Sequence, residues 1–130
     1  MRLGLGQIKG LGHEAGGRIA LARPFRDVAD LARRADLSRE DLDRLAAAGA
    51  LGELAGHRRQ AAWAVAAVPE QHDLLQEAAV SETETPMVAA SEGEELIADY
   101  ATLRLTLGRH PLSLLRKWLD QKRYLAAQAL

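Results

Sequence analysis

Apolar residues along the first half of this chain recur at helical spacing and are broken by short polar or glycine-containing turns. Ala15 and Ile19 stand four apart, on the face that would meet Leu5 and Ile8. The pattern predicts a helix from His13 to Arg23, ending before Pro24, whose ring disfavours helical geometry at Arg23. A second stripe, Phe25, Val28, Ala29, Leu31 and Ala32, predicts a helix over 25–35. Ser38 is a good N-cap, with Glu40 and Asp41 in the first turn. That third helix carries Leu42 and Leu45 to Ala48 and stops at Gly49. After Gly49-Ala50-Leu51-Gly52, a helix starting with His57-Arg58-Arg59-Gln60-Ala61 carries Val65 and Trp63, the latter expected in the core.

Residues 69–92 read as a linker, with the polar, acidic Ser81-Glu82-Thr83-Glu84-Thr85-Pro86 at its heart. Ser91 and Glu94 form a capping-box signature opening a helix through Leu96, Ile97, Tyr100 and Leu103. Pro111 suits the first position of a last helix, Leu112 to about Tyr124. The expected organisation is therefore all-α: a helical unit over 1–68, an acidic linker over 69–92 and a C-terminal helical segment over 93–130.

The most informative stretch is Ile8-Lys9-Gly10-Leu11-Gly12-His13, a tight turn between two helical segments. One glycine permits a backbone conformation that a side chain would hinder, and the other permits close approach of a ligand. The helix opening after Gly12 points its positive dipole end at the same place. Lys9, Gly10, Leu11, Gly12, His13 and Arg18 are thus candidate contacts for a phosphate, in a helix-hairpin-helix that holds a DNA backbone without reading bases. Gly49 to Gly52 looks like a degraded second copy, with different glycine spacing; His57, Arg58 and Arg59 are its candidate contacts. The alternative reading gives each turn only the task of closing a helix pair.

Charge sharpens this picture only when the chain is divided. The net charge of −1 conceals eleven Lys/Arg against eight Asp/Glu in residues 1–63, a balance of +3. Residues 64–130 hold six against ten, and from Glu70 to Asp99 nine acids stand without a Lys or Arg. Only the first half suits a polyanion. A structural or protein-interaction scaffold with negligible DNA contact is the competing class, favoured by that acidic region. Cysteine is absent, which excludes disulfides and thiolate metal sites. The longest apolar runs, such as Ala61 to Val68, are too short to span a bilayer, and the N-terminus lacks a signal-peptide pattern. No membrane partner and a cytoplasmic location are expected.

Catalytic chemistry finds little footing. Asp41 and Asp43 lie roughly 200° apart around a helix, so their carboxylates diverge. His13-Glu14 lacks a second histidine at helical spacing, and the other histidines, His57, His72 and His110, are scattered. No glycine-rich loop ends in Lys-Ser/Thr. No catalytic residue, cofactor or metal is expected.

Taken together, Leu3-Gly4-Leu5-Gly6-Gln7-Ile8-Lys9-Gly10-Leu11-Gly12, Pro24-Phe25-Arg26-Asp27-Val28-Ala29-Asp30-Leu31 and Ala48-Gly49-Ala50-Leu51 resemble bacterial C-family DNA polymerases. These are the alpha subunits of DNA polymerase III and their error-prone paralogues. Gly56 to Trp63, Asp99 to Leu107 and His110-Pro111-Leu112 resemble the error-prone branch. The resemblance implies a segment that follows the palm and fingers, precedes an OB-fold domain and holds double-stranded DNA behind the primer terminus. It maps Lys9, Gly10, Gly12 and His13 onto the phosphate-gripping hairpin and places the catalytic acids outside this chain. The implied partners are duplex DNA, other polymerase domains and accessory translesion proteins.

Overall fold

The structure, a computed structural model, describes residues 3–69 and 85–129. The expected linker falls mostly on residues 70–84, outside the described residues. Seven α-helices and no strands occur among the described residues. The chain divides into two compact units, residues 1–90 and 91–130.

The first unit opens with a 3-10 turn, Leu5–Gln7, followed by α1, His13–Ala22. Ile8, Ala15 and Ile19 are buried together, and Leu5 lies close against Gly16, as the four-residue spacing requires. α1 stops where expected: Arg23, ahead of Pro24, is already extended at ψ 153°. Helix α2, Val28–Arg34, begins three residues later than the apolar stripe predicts. The Asp27 carboxylate accepts from the Asp30 N–H at 2.7 Å and fixes the helix start there. Phe25 therefore lies outside α2, with the Arg34 guanidinium 5.5 Å above its ring.

Helix α3, Arg39–Ala47, is capped by Ser38 in a capping box with Asp41. At its other end the Gly49 N–H reaches the Ala46 carbonyl (3.0 Å) and the Ala50 N–H reaches that of Leu45 (2.9 Å). With Gly49 at φ +72°, this is a Schellman closure that uses both turn amides. A short helix absent from the predicted pattern follows: α4, Gly52–Ala55, ends at Gly56 with φ +78°. Helix α5 is Arg58–Ala66.

The core is small and aliphatic, built from Val28, Leu31, Leu37, Leu42, Leu45, Leu51 and Val65 with interleaved alanines. α5 packs on α3 through Ala61 and Val65, one turn apart. Trp63 lies between these positions, roughly 200° around the helix from Ala61. It is consequently 51% exposed, which corrects its expected place in the core.

Asp30 is the one buried charged residue among those described. Its carboxylate accepts from the Arg26 N–H (3.1 Å) and from Arg33 (3.1 Å), with the Arg34 guanidinium 3.6 Å away. The backbone hydrogen bond from Arg26, then the two arginines, hold its pKa below the ordinary carboxylate value against the opposing effect of burial. A lowered folded value means the stabilisation is present above the ordinary value and is lost as pH falls through the folded one. In thermal melts at pH 7, Asp30→Asn is therefore expected to melt below the wild type. The gap should narrow as pH falls from the ordinary carboxylate value through the lowered folded one, below which both chains carry an uncharged side chain. A constant gap would show that this charge contributes nothing.

The second unit holds α6, Glu92–Leu103, and α7, Pro111–Gln121. Ser91 and Glu94 close the expected capping box, and Pro111 takes the first turn of α7. Arg109 donates to both carboxylate oxygens of Glu92, at 2.7 and 2.5 Å. No described residue of this unit is buried; Ile97, Leu107, Leu115 and Trp118 are among its exposed apolar side chains. No helix of the described residues is long and apolar enough to cross a membrane.

Candidate nucleic-acid interface

The turn before α1 is built to leave donors unused. The Leu11 N–H bonds the Ile8 carbonyl at 3.2 Å, and buried Ile8 anchors the bend to the core. Gly10 sits at φ +83°, in the left-handed region that an L side chain resists. Gly12, at φ −65° and ψ 144°, is the N-cap of α1 and offers no side chain to occupy the first helical amides. The first backbone bond across this end is from the Gly16 N–H to the Gly12 carbonyl, 3.2 Å. The N–H groups of Gly12, His13 and Glu14 consequently have no hydrogen-bond partner among the described residues, and all three residues are exposed. Lys9 and Gly10 are exposed beside them, with Leu11 partly covered. Lys9 makes no ion pair among the described residues.

Such a cluster of oriented donors at a helix N-terminus favours an anion, and a lysine alongside strengthens the field. Glu14, in the same first turn, offsets part of that charge.

Arg18 is not brought to this cluster. Its Nε donates to the Ala35 carbonyl at 2.8 Å and its Nη2 to that of Asp36 at 3.1 Å. The side chain closes the C-terminal end of α2, which corrects its expected place at the turn. The arginine that does lie at the turn is Arg44, which sequence reasoning missed. A Cβ built on Gly10 would stand 2.9 Å from Arg44 Nε, so the guanidinium lies flat against the glycine. Arg44 also pairs with Glu40 one turn earlier on α3. Only that i, i+4 pairing is visible in the sequence; the approach to Gly10, 34 positions away, has no local signal.

Gly10→Ala should therefore lower the stability of the first unit by about 1–3 kcal/mol, through the positive φ and the displaced guanidinium. Gly12→Ala, where nothing lies within 4 Å, should be close to neutral. Equal melting of the two variants would contradict this account of the bend.

The second turn is organised differently. Its first amides are used by the Schellman closure, and its three candidate side chains are engaged within the protein. Arg58 lies against Gly49, as Arg44 does against Gly10, and its Nη2 reaches the Ala48 carbonyl at 3.4 Å. His57 caps α5, its Nδ1 accepting from the Gln60 N–H at 3.3 Å. With Nδ1 accepting, Nε2 carries the proton and donates to the Met87 carbonyl at 2.8 Å. Arg59 donates to the Val88 carbonyl at 3.3 Å. Among the described residues no group of three His, Asp or Glu side chains could hold a metal ion.

The paired helices, the glycine bend and the unused amides define a class, and comparison with known sequences agrees with it. Residues 1–61 match the family model described as "Helix-hairpin-helix motif". Over its whole length the chain is 55% identical to the "Error-prone DNA polymerase" of Azoarcus sp. (strain BH72), covering 12% of that protein. It is 52% identical to the "Error-prone DNA polymerase" of Bordetella parapertussis and 51% identical to that of Dechloromonas aromatica, 13% of each being covered. The chain is thus similar throughout to one segment of error-prone DNA polymerases and spans 12–13% of these relatives' length. No solved structure matches it.

Proposed function

We propose that this chain holds double-stranded DNA by its phosphate backbone, within an error-prone DNA polymerase whose catalytic acids lie outside the segment. The observation that carries this reading is the exposed set of N–H groups at Gly12, His13 and Glu14, unpartnered among the described residues, with Lys9 beside it. The helix-hairpin-helix match over the same residues supports it. Gly10 and Leu11 shape the bend, and Arg44 braces it. The grip makes no base contact, so it tolerates any sequence, as synthesis across damaged template requires. In this reading the protein works in the cytoplasm, beside the other polymerase domains and accessory translesion proteins.

One hairpin contacting about two phosphates gives a slope near −2 in log K against log salt, at about −0.9 per phosphate neutralised. Affinity should lie at the weak end of non-specific binding, on the order of 10⁻⁴ M. Anisotropy titrations of a labelled duplex at several salt concentrations read both quantities. A slope near zero would remove the backbone grip from the account.

A scaffold role is favoured by one specific observation, the absence of buried residues among the described residues of the second unit. A helix pair with exposed Ile97, Leu115 and Trp118 fits a surface that packs on other polymerase domains. That role and the grip belong to different units and are compatible.

A further inference from the structure

The His57, Arg59 and Gln60 side chains at the start of α5 are occupied by a neighbouring stretch of the same unit, Thr85 to Val88. Three carbonyls of that stretch accept hydrogen bonds: Met87 from His57 Nε2 (2.8 Å), Val88 from Arg59 (3.3 Å) and Thr85 from Gln60 Nε2 (3.2 Å). A fourth bond runs from the Met87 N–H to Gln60 Oε1 at 2.9 Å. The strap is otherwise poorly anchored, since all four of its residues are exposed and Val88 is 82% so. Its hold on α5 rests on polar contacts at the surface.

We propose that this strap is an intramolecular competitor, seated on a second backbone-binding surface and displaced from it by duplex DNA. The surface presents side-chain donors in a row, and the strap supplies a row of neutral carbonyl oxygens to meet them. A phosphodiester backbone offers oxygens to the same donors with a full negative charge. Hydrogen bonds from Arg to an anionic oxygen are roughly twice as strong as those to a neutral one. The tethered strap has the advantage of an effective concentration in the millimolar range, which sets the threshold DNA must exceed. A short duplex meeting the first hairpin alone leaves the strap in place. DNA already held there gains local concentration of its own and exchanges with it. The proposal rests on the DNA-binding reading, and it adds Gln60 to the surface and makes engagement of the second hairpin conditional.

Met87→Pro tests it from the strap side, because proline removes the N–H that Gln60 accepts without touching the core or any proposed DNA contact. Its expected effect is about threefold tighter binding of a duplex of about 20 base pairs, with a salt slope steeper by about one. Adding Arg59→Gln to Met87→Pro should abolish that gain, whereas Arg59→Gln in the strapped chain should change affinity less than twofold. The chain has two methionines, Met1 and Met87, so a labelled Met87 methyl reports directly on strap release as duplex is added. Unchanged or weaker binding by Met87→Pro, or a Met87 signal unmoved at saturating duplex, would overturn the proposal. The Gly12 and His13 amide signals in the same titration report the first hairpin separately. Their movement without that of Met87 sinks the strap alone.

Discussion

Leu45→Ala is expected to lower the stability of the first unit by about 2–5 kcal/mol, the largest change foreseen for any single substitution in it. Leu45 is 1% exposed and lies on α3, which packs on α5, itself bearing the fully buried Val65. Its carbonyl also receives the Ala50 N–H that closes the Schellman turn, so the same residue fixes the helix end and fills the core. Truncation leaves a cavity lined by residues of short reach, because alanines make up much of the surrounding core. Those neighbours have few rotamers with which to collapse into the space, so the cavity term stays large. A domain of this size has a total stability of about twice that loss. Urea unfolding followed by far-ultraviolet circular dichroism checks it, and a loss below about 1 kcal/mol would place the core elsewhere.

The helices were legible because their signals are local. Ser38 with Asp41, Ser91 with Glu94 and Pro24 after Arg23 each act within one turn, and each operates where the pattern placed it. The start of α2 was missed because an apolar stripe reports burial and says nothing of the cap; the Asp27 carboxylate decides the boundary. Trp63 was misplaced for a related reason, since composition suggested a core residue while its position relative to Ala61 and Val65 turns it outward.

At the site, the glycine bend and the helix opening after it could be read directly, because positive φ and a missing cap are properties of the residues themselves. The arginines could not. Arg18 reads as a phosphate contact in the sequence, yet it closes α2, and Arg39 donates to the carbonyls of Val65 and Val68 at the end of α5. Arg44 and Arg58 lie against glycines that are distant in sequence or across a turn. A guanidinium reaches several residues away, so its partner is decided by tertiary packing. The engagement of His57, Arg59 and Gln60 by residues 85–88 was hidden for the same reason, since the stretch reads as linker.

His13→Pro is the second large effect expected, and it isolates the central claim. Proline is favoured at the first position of a helix, where its missing N–H has no backbone partner to lose. Gly12, at φ −65° and ψ 144°, already has the extended conformation that a following proline requires. The substitution therefore deletes one backbone donor while α1 and the bend persist. His13→Ala is its partner variant, removing the imidazole and keeping the donor. Losing one hydrogen bond to an anionic oxygen at a partly solvated site is worth about 1–2 kcal/mol, a loss of roughly 5- to 30-fold in affinity.

The decisive measurement is duplex-DNA affinity of these two variants at low salt, each shown by circular dichroism to keep its helices. A main-chain grip predicts that His13→Pro binds at least fivefold more weakly than His13→Ala. Equal affinities would mean that no nucleotide oxygen meets the amide of residue 13, and the hairpin would then serve only to join two helices.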